Sequence, residues 1–198
     1  MRLVLLFLTA FLIGSFPTAY LVSRYAKGID IRQHGSGNVG ATNVFRVMGK
    51  KYGLFVFGVD FLKGATAVFL TWLLWPDPAA HGVLDVWIGF GSILGHVFSP
   101  FLRFKGGKGV ATGAGVLLAT SPIIFIYTLL TWVIVFVLTR TVSISSIIAV
   151  SLTPLFAYLM KLDREIILFF LLVAFLLIWT HRSNIYRLLK GKENKLIK

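Results

Sequence analysis

The 198-residue chain is 57% hydrophobic, sets 20 Lys+Arg against 7 Asp+Glu for a net charge of +13, and contains no cysteine. A mean hydropathy of +0.86 is more apolar surface than a soluble core of this length could hide, so the chain reads as a multi-span membrane protein, one domain over residues 1–198. Disulfides, thiolate catalysis and cysteine metal sites are excluded. The positive excess suits anionic ligands or lipid head groups rather than nucleic acid, because the basic residues sit in short loops between apolar runs.

Residues 1–25 resemble a signal peptide in having Arg2 ahead of an apolar run, but no small-x-small cleavage pattern follows, and they read as a first span. Apolar runs at 3–23, 54–75, 85–102, 142–160 and 164–181 each suit one crossing of about 20 residues. The stretch 110–138 is long for one crossing and short for two. Ser121-Pro122 lies inside it, and proline removes a backbone donor, which divides the stretch there. Basic residues gather in 24–51, 103–108 and 182–198, and the positive-inside tendency places all three groups in the cytoplasm with the N-terminus outside. An even number of crossings must separate the second group from the third, which the division at Ser121-Pro122 supplies. The expected fold is an all-α integral membrane protein of seven transmembrane helices, with a cytoplasmic C-terminus. The half-span 110–120 reaches only about 16 Å as a helix, against a hydrocarbon core of about 30 Å. The glycine segment ahead of it is therefore drawn into the interface, where protein or water must satisfy its backbone.

Three polar segments could carry chemistry. In "HGSGNVGATNVFR", 34–46, the formal G-x-G-x-x-G match is accidental, since a membrane span and not a strand precedes it. What remains is a set of hydroxyls, amides and a guanidinium suited to phosphate: Ser36, Asn38, Thr42, Asn43 and Arg46. The alternative is a turn-forming connector. In "FKGGKGVATG", 104–113, the run Lys105, Gly106, Gly107, Lys108, Gly109 leads straight into an apolar helix. Helix-terminal amides, close-approaching glycine backbone and two ammonium groups favour an anion there over a plain turn at the head groups. It is not a Walker A loop, because Gly109 stands where Ser or Thr is needed. In "HRSNIYRLLKGKENK", 181–195, His181 ends an apolar span with Asn184 three residues on, on the same helical face. His181 could serve as acid, base or donor, or simply cap the helix toward the head groups. A short interfacial helix follows.

Inside the spans, Asp60 and Lys63 lie one helical turn apart and His96 comes late in the third run; such groups face a bundle interior, a partner or a cavity. The pair reads equally as a structural ion pair or a site wall, and His96 as helix packing. Gly91–Gly95 and Gly109–Gly113 mark close helix packing. Scattered histidines and few carboxylates leave no metal site. No histidine has an aspartate five residues on, as soluble-type glycerolipid acyltransferases require, and the Asp-rich motif of CDP-alcohol phosphotransferases is missing.

The three segments, quoted as "GSGNVGATN" with Arg46, "GHVFSPFLRFKGGKGVATG" and "HRSNIYRLLKGKENK", together resemble the bacterial acyl-phosphate:glycerol-3-phosphate acyltransferases, the PlsY family. "DFLKG" at 60–64 adds to the likeness. The resemblance implies transfer of a fatty acyl group from acyl phosphate to glycerol 3-phosphate at the cytoplasmic face of the bacterial inner membrane, with no cofactor. It implies membrane lipid and the soluble enzyme that makes acyl phosphate as partners. It implies that Ser36, Arg46, His181 and Asn184 are needed for activity, that the 105–109 glycines form the glycerol 3-phosphate site, and that Glu193 supports structure. Two other readings stay open on the residues alone: a transporter for a phosphorylated solute, and a basic scaffold that recruits anionic lipid.

Overall fold

The structure is a computed structural model that describes residues 1–196; Lys198 of the C-terminal basic group lies outside them. Among the described residues the regular elements are all helical. Besides three short 3-10 turns at Ile31–Gln33, Pro78–Ala80 and Pro100–Leu102, they are in chain order α1 (Arg2–Ser15), α2 (Thr18–Lys27), α3 (Ala41–Met48), α4 (Lys50–Leu74), α5 (Val83–Val97), α6 (Val110–Thr120), α7 (Pro122–Thr139), α8 (Val142–Leu159), α9 (Arg164–Thr180) and α10 (Arg182–Leu189). They fall into two compact units, Met1–Thr120 and Ser121–Lys198.

Five stretches are long and apolar enough to cross a membrane: Arg2–Lys27, Lys50–Leu74, Val83–Leu102, Pro122–Thr139 and Val142–Leu159. A sixth is the pair α9 and α10, if its 58° bend lies within one span. The chain does divide between Thr120 and Pro122, with the proline in the first turn of α7, where its missing N–H is no loss. This leaves α6 as an apolar helix of 11 residues, short for a crossing.

In the first unit, α1 packs against α5 and α4, while α4 also packs against α3, α5 and α6. Glycines permit the closest approaches. A Cβ at Gly95 of α5 would lie 2.0 Å from the Phe11 carbonyl oxygen of α1, and one at Gly91 would lie 3.0 Å from that of Phe7. The Gly91–Gly95 pair is thus a packing seam, as its spacing suggests. In α6 the seam against α4 is made by Gly115, whose Cβ would come within 1.9 Å of the Phe61 oxygen, and Gly109 stands ahead of the helix with φ 85°.

The first span is not the continuous helix that its hydropathy suggests. Pro17 cannot donate a backbone hydrogen bond and disfavours helical geometry at the residue before it, so Phe16 leaves the helix at φ −55°, ψ 120°. Side chains from elsewhere reach two carbonyls at the break: Ser99 Oγ donates to the Ser15 oxygen at 2.6 Å, and Lys63 Nζ donates at 2.5 Å to the Phe16 oxygen, which also accepts the Thr18 amide at 3.0 Å. Lys63 Nζ also donates to Asp60 Oδ1 at 2.6 Å, and both residues are buried.

In the second unit α8 packs against α7 and α9, and α10 leaves the end of α9 at the 58° bend. A short helix does follow His181: α10 begins with Arg182 over the Trp179 ring, and Lys190 just past its end lies over the Tyr186 ring.

Substituting alanine at two glycines separates packing from propensity. Gly58→Ala, whose methyl meets nothing within 4 Å, should leave the Tm in detergent unchanged or raise it, since alanine is favoured over glycine in a helix by about 0.5–1 kcal/mol. Gly95→Ala should lower the Tm despite the same propensity gain, and equal Tm values for the two variants would refute the α1–α5 seam.

Candidate functional site

The loop before α3 is built around Asn43. This residue is 1% exposed, and its carboxamide is spent entirely on neighbouring backbone. Its Oδ1 accepts from the Ser36 amide at 2.9 Å, and its Nδ2 donates to the carbonyl oxygens of His34, Asn38 and Ile31 at 2.9, 3.1 and 3.3 Å. Gly35 passes over the Asn43 side chain at φ 63°, where a Cβ would lie 2.3 Å from Oδ1. The start of the loop is fixed by Arg32, which donates through Nε and Nη2 to the Asp30 carboxylate and lies over the Tyr20 ring. Those hydrogen bonds hold the Asp30 carboxyl down at about 2, below the usual carboxylate range. Held in this way, the loop presents an exposed Ser36 and half-buried Asn38, Thr42 and Arg46. The side chains of these four make no hydrogen bond or ion pair among the described residues.

The glycine segment folds back onto the end of α5. The amides of Lys105, Gly106 and Gly107 donate to the carbonyls of Leu102, Val97 and His96 at 3.1, 3.0 and 3.1 Å. These three donors face the protein rather than a ligand. The chain then turns at Gly109 and enters α6, whose first amides have no carbonyl within the helix to accept them and sit at the positive end of its dipole. Lys105 is exposed and Lys108 half-buried beside that end.

The two loops meet. A Cβ at Gly107 would lie 2.8 Å from the Val39 carbonyl oxygen and 2.1 Å from His96 Nε2. Val39 and Leu102 share a buried cluster with Ile31, Val44, Val56 and Ala19. His96, which its position alone suggests is a packing residue, lies directly beneath the glycine segment. Its Nδ1 is 3.9 Å from Asp60 Oδ1.

The third segment forms its own cluster in the second unit. His181 breaks the helix between α9 and α10 and is 3% exposed. Its Nδ1 lies 2.7 Å from the Leu177 carbonyl oxygen. A carbonyl only accepts, so Nδ1 carries the hydrogen and Nε2 is the acceptor of the neutral ring. Asn184 Nδ2 donates to Glu193 Oε1 at 2.5 Å, Ser143 Oγ donates to the same oxygen at 2.8 Å, and Arg187 Nε donates to Oε2 at 2.7 Å. Glu193 therefore ties the C-terminal segment to α8 and α10.

A family model described as glycerol-3-phosphate acyltransferase matches residues 4–191 and so runs through both units. The chain is 45% identical over 188 residues to the glycerol-3-phosphate acyltransferase of Desulforudis audaxviator, covering 94% of this chain and 91% of that one. It is 42% identical over 196 residues to the glycerol-3-phosphate acyltransferase of Bacillus subtilis, covering 99% and 98%. Among solved structures, it is similar to PlsY, an integral membrane glycerol 3-phosphate acyltransferase. In the glycerol 3-phosphate form the TM-score is 0.91 at 39% identity, over 98% of this chain and 96% of that one. In the lysophosphatidic acid form it is 0.88 at 38% identity, over 98% and 95%.

Sequence reasoning passed over Ser99 and Ser143, since isolated serines in apolar runs carry no pattern, and did not single out Arg187 from the basic group at 182–198. The Glu193 cluster has a definite pH dependence. Burial pushes its carboxyl up, but hydrogen bonds from Asn184, Ser143 and Arg187 outweigh it and hold it below the ordinary carboxylate range. The folded state thus favours the ionised form: its contribution is complete above the unfolded value of about 4.3 and is lost as pH falls through the lower folded value. Lowering the pH from about 6 to about 3 should depress the Tm of the wild type more than that of Glu193→Gln. Parallel pH profiles for the two would contradict the role given to this carboxylate.

Proposed function

The chain belongs to the glycerol-3-phosphate acyltransferase family, and from that premise we propose that it transfers a fatty acyl group from acyl phosphate to the 1-hydroxyl of glycerol 3-phosphate, releasing lysophosphatidic acid and phosphate. It is an integral membrane enzyme of phospholipid synthesis that acylates glycerol 3-phosphate. The observation that carries the proposal is the junction of the two polar loops at Val39 and Gly107, beside a helix N-terminus and two lysines.

The glycerol 3-phosphate phosphate is assigned to the start of α6, where the first helical amides, Lys105 and Lys108 supply donors and charge. Gly106 and Gly107 contribute shape, since their amides are already paired with α5. Asn43 likewise holds the first loop in form instead of touching phosphate, its carboxamide being consumed by backbone. Ser36, Asn38, Thr42 and Arg46 are left to meet substrate oxygens, and the guanidinium is suited to a bidentate phosphate.

The chemistry needs little else. The glycerol oxygen attacks the acyl carbon, negative charge grows on the carbonyl oxygen, the carbon–oxygen bond to phosphate breaks, and phosphate leaves with the electron pair. Cations and fixed donors stabilise both developing charges. Acyl phosphate is already activated, and no Ser-His-Asp arrangement is needed for direct transfer. The hydroxyl proton goes to His181 or to a substrate phosphate; both can accept it. Asn184 acts alongside His181, and Glu193 keeps Asn184 placed.

The same reading assigns seven crossings, counting α6 as a short one and α9 with α10 as a broken one, with the N-terminus outside and the motifs cytoplasmic. The basic loops support this orientation. It places the enzyme in the bacterial inner membrane, among lipid that receives the product, supplied by the soluble enzyme that makes acyl phosphate. It also treats residues 1–198 as one functional domain.

Purified protein in lipid should release phosphate from acyl phosphate only when glycerol 3-phosphate is present. Release no faster than spontaneous hydrolysis would end the proposal, and activity with acyl-CoA alone would overturn the choice of donor. Ser36→Ala and His181→Ala should lose turnover by about 100-fold or more while remaining folded. Gly107→Leu should raise the KM for glycerol 3-phosphate.

A further inference from the structure

Of the buried residues Asp60, Lys63 and His96, Lys63 serves the break in the first span and Asp60 answers its charge, but neither role calls for an imidazole at position 96. An ion pair held away from water gives little or no net stabilisation over apolar residues of the same volume, and ionisable groups in a span are costly and serve a purpose when retained. Here each group touches a different segment. Lys63 Nζ holds the Phe16 carbonyl at the break in the first span and the Asp60 carboxylate one turn away on α4. Asp60 Oδ1 faces His96 Nδ1 at 3.9 Å. The other side of the imidazole, Nε2, occupies the space that a Cβ on residue 107 would take, 2.1 Å from its ideal position. The backbone of the same residue closes the arrangement, because the His96 and Val97 carbonyls accept the Gly107 and Gly106 amides.

We infer that His96 is a positioning residue for glycerol 3-phosphate: its ring, with the Asp60 carboxylate on its Nδ1 side, sets the height of the glycine segment at Gly106–Gly107 and thereby where the first amides of α6 stand. The inference rests on the reading that this segment receives the phosphate of glycerol 3-phosphate. Remove the ring and the segment loses its floor, although its two amide hydrogen bonds to α5 survive. Remove the charge of Asp60 and the ring loses the negative charge that faces Nδ1 at 3.9 Å. Either change displaces the anion-facing amides, which act on only one of the two substrates.

Steady-state kinetics with each substrate varied in turn distinguishes positioning from support. His96→Leu should raise the KM for glycerol 3-phosphate by about 10- to 100-fold and leave the KM for acyl phosphate unchanged, and His96→Gln, which keeps a donor in the cavity, should recover part of the loss. The neutral double variant Asp60→Asn with Lys63→Gln should show the same one-substrate effect, and it serves if His96→Leu does not fold. A fall in maximal rate with both KM values unchanged, as expected when a residue only maintains the folded fraction, would overturn the inference. So would an equal rise in both KM values. Wild-type protein that releases no phosphate in the same assay would instead remove the functional reading, and this inference with it.

Discussion

The first unit depends on how the break in the first span is satisfied. A helix interrupted at Phe16 leaves backbone carbonyls that lipid cannot pair, and an unmet one would cost several kcal/mol. Ser99 meets the Ser15 oxygen, and Lys63 adds a second donor to the Phe16 oxygen, which also accepts the Thr18 amide. Neither residue belongs to the first span, so satisfying the break pins α4 and the chain after α5 to it. The α1–α5 glycine seam brings these partners close enough, since its separations tolerate no side chain at Gly95. The buried charge of Lys63 then requires Asp60, and Asp60 faces His96, which leads to the glycine segment.

Each loop consequently divides its donors between architecture and ligand. Asn43 and the amides of Lys105 to Gly107 are turned inward and spent on neighbouring backbone, while Ser36 and Lys105 are exposed and the first amides of α6 lie beyond the intrahelical ladder. That division suits the proposed reaction, which is mostly charge management: two phosphorylated substrates, an activated donor, and direct transfer with no covalent step to be shared with a side chain. Fixed donors cost no reorganisation when charge develops, and a loop with an inward-facing scaffold of its own can keep them fixed.

Much of this was legible in the sequence. Apolar runs and Pro122 located the helices and the short α6 because proline and length act locally. The motif residues announced themselves as polar groups in an apolar chain. What was not legible depends on pairing across the chain. Pro17 lies near the middle of an apolar run whose hydropathy is unaffected by the break, so the interruption is invisible to a window average. Ser99 finds its partner 84 residues away. His96 lies in a span at a position that packing alone would explain, and its relation to Gly107 arises only when the loop folds back on α5. The inward direction of the Gly106 and Gly107 amides is likewise a property of that return, whereas glycine spacing suggests an outward cradle.

The division of amides around Gly109 can be read directly by hydrogen exchange over residues 104–113 in lipid, with and without glycerol 3-phosphate. Before any substrate is added, the amides of Gly106 and Gly107 should already exchange slowly, held by the Val97 and His96 carbonyls, while those opening α6 exchange fast. Adding glycerol 3-phosphate should slow exchange at the start of α6 and leave Gly106 and Gly107 as they were. Fast exchange at Gly106 and Gly107 in the free protein, or substrate protection that appears there and not at the start of α6, would contradict it.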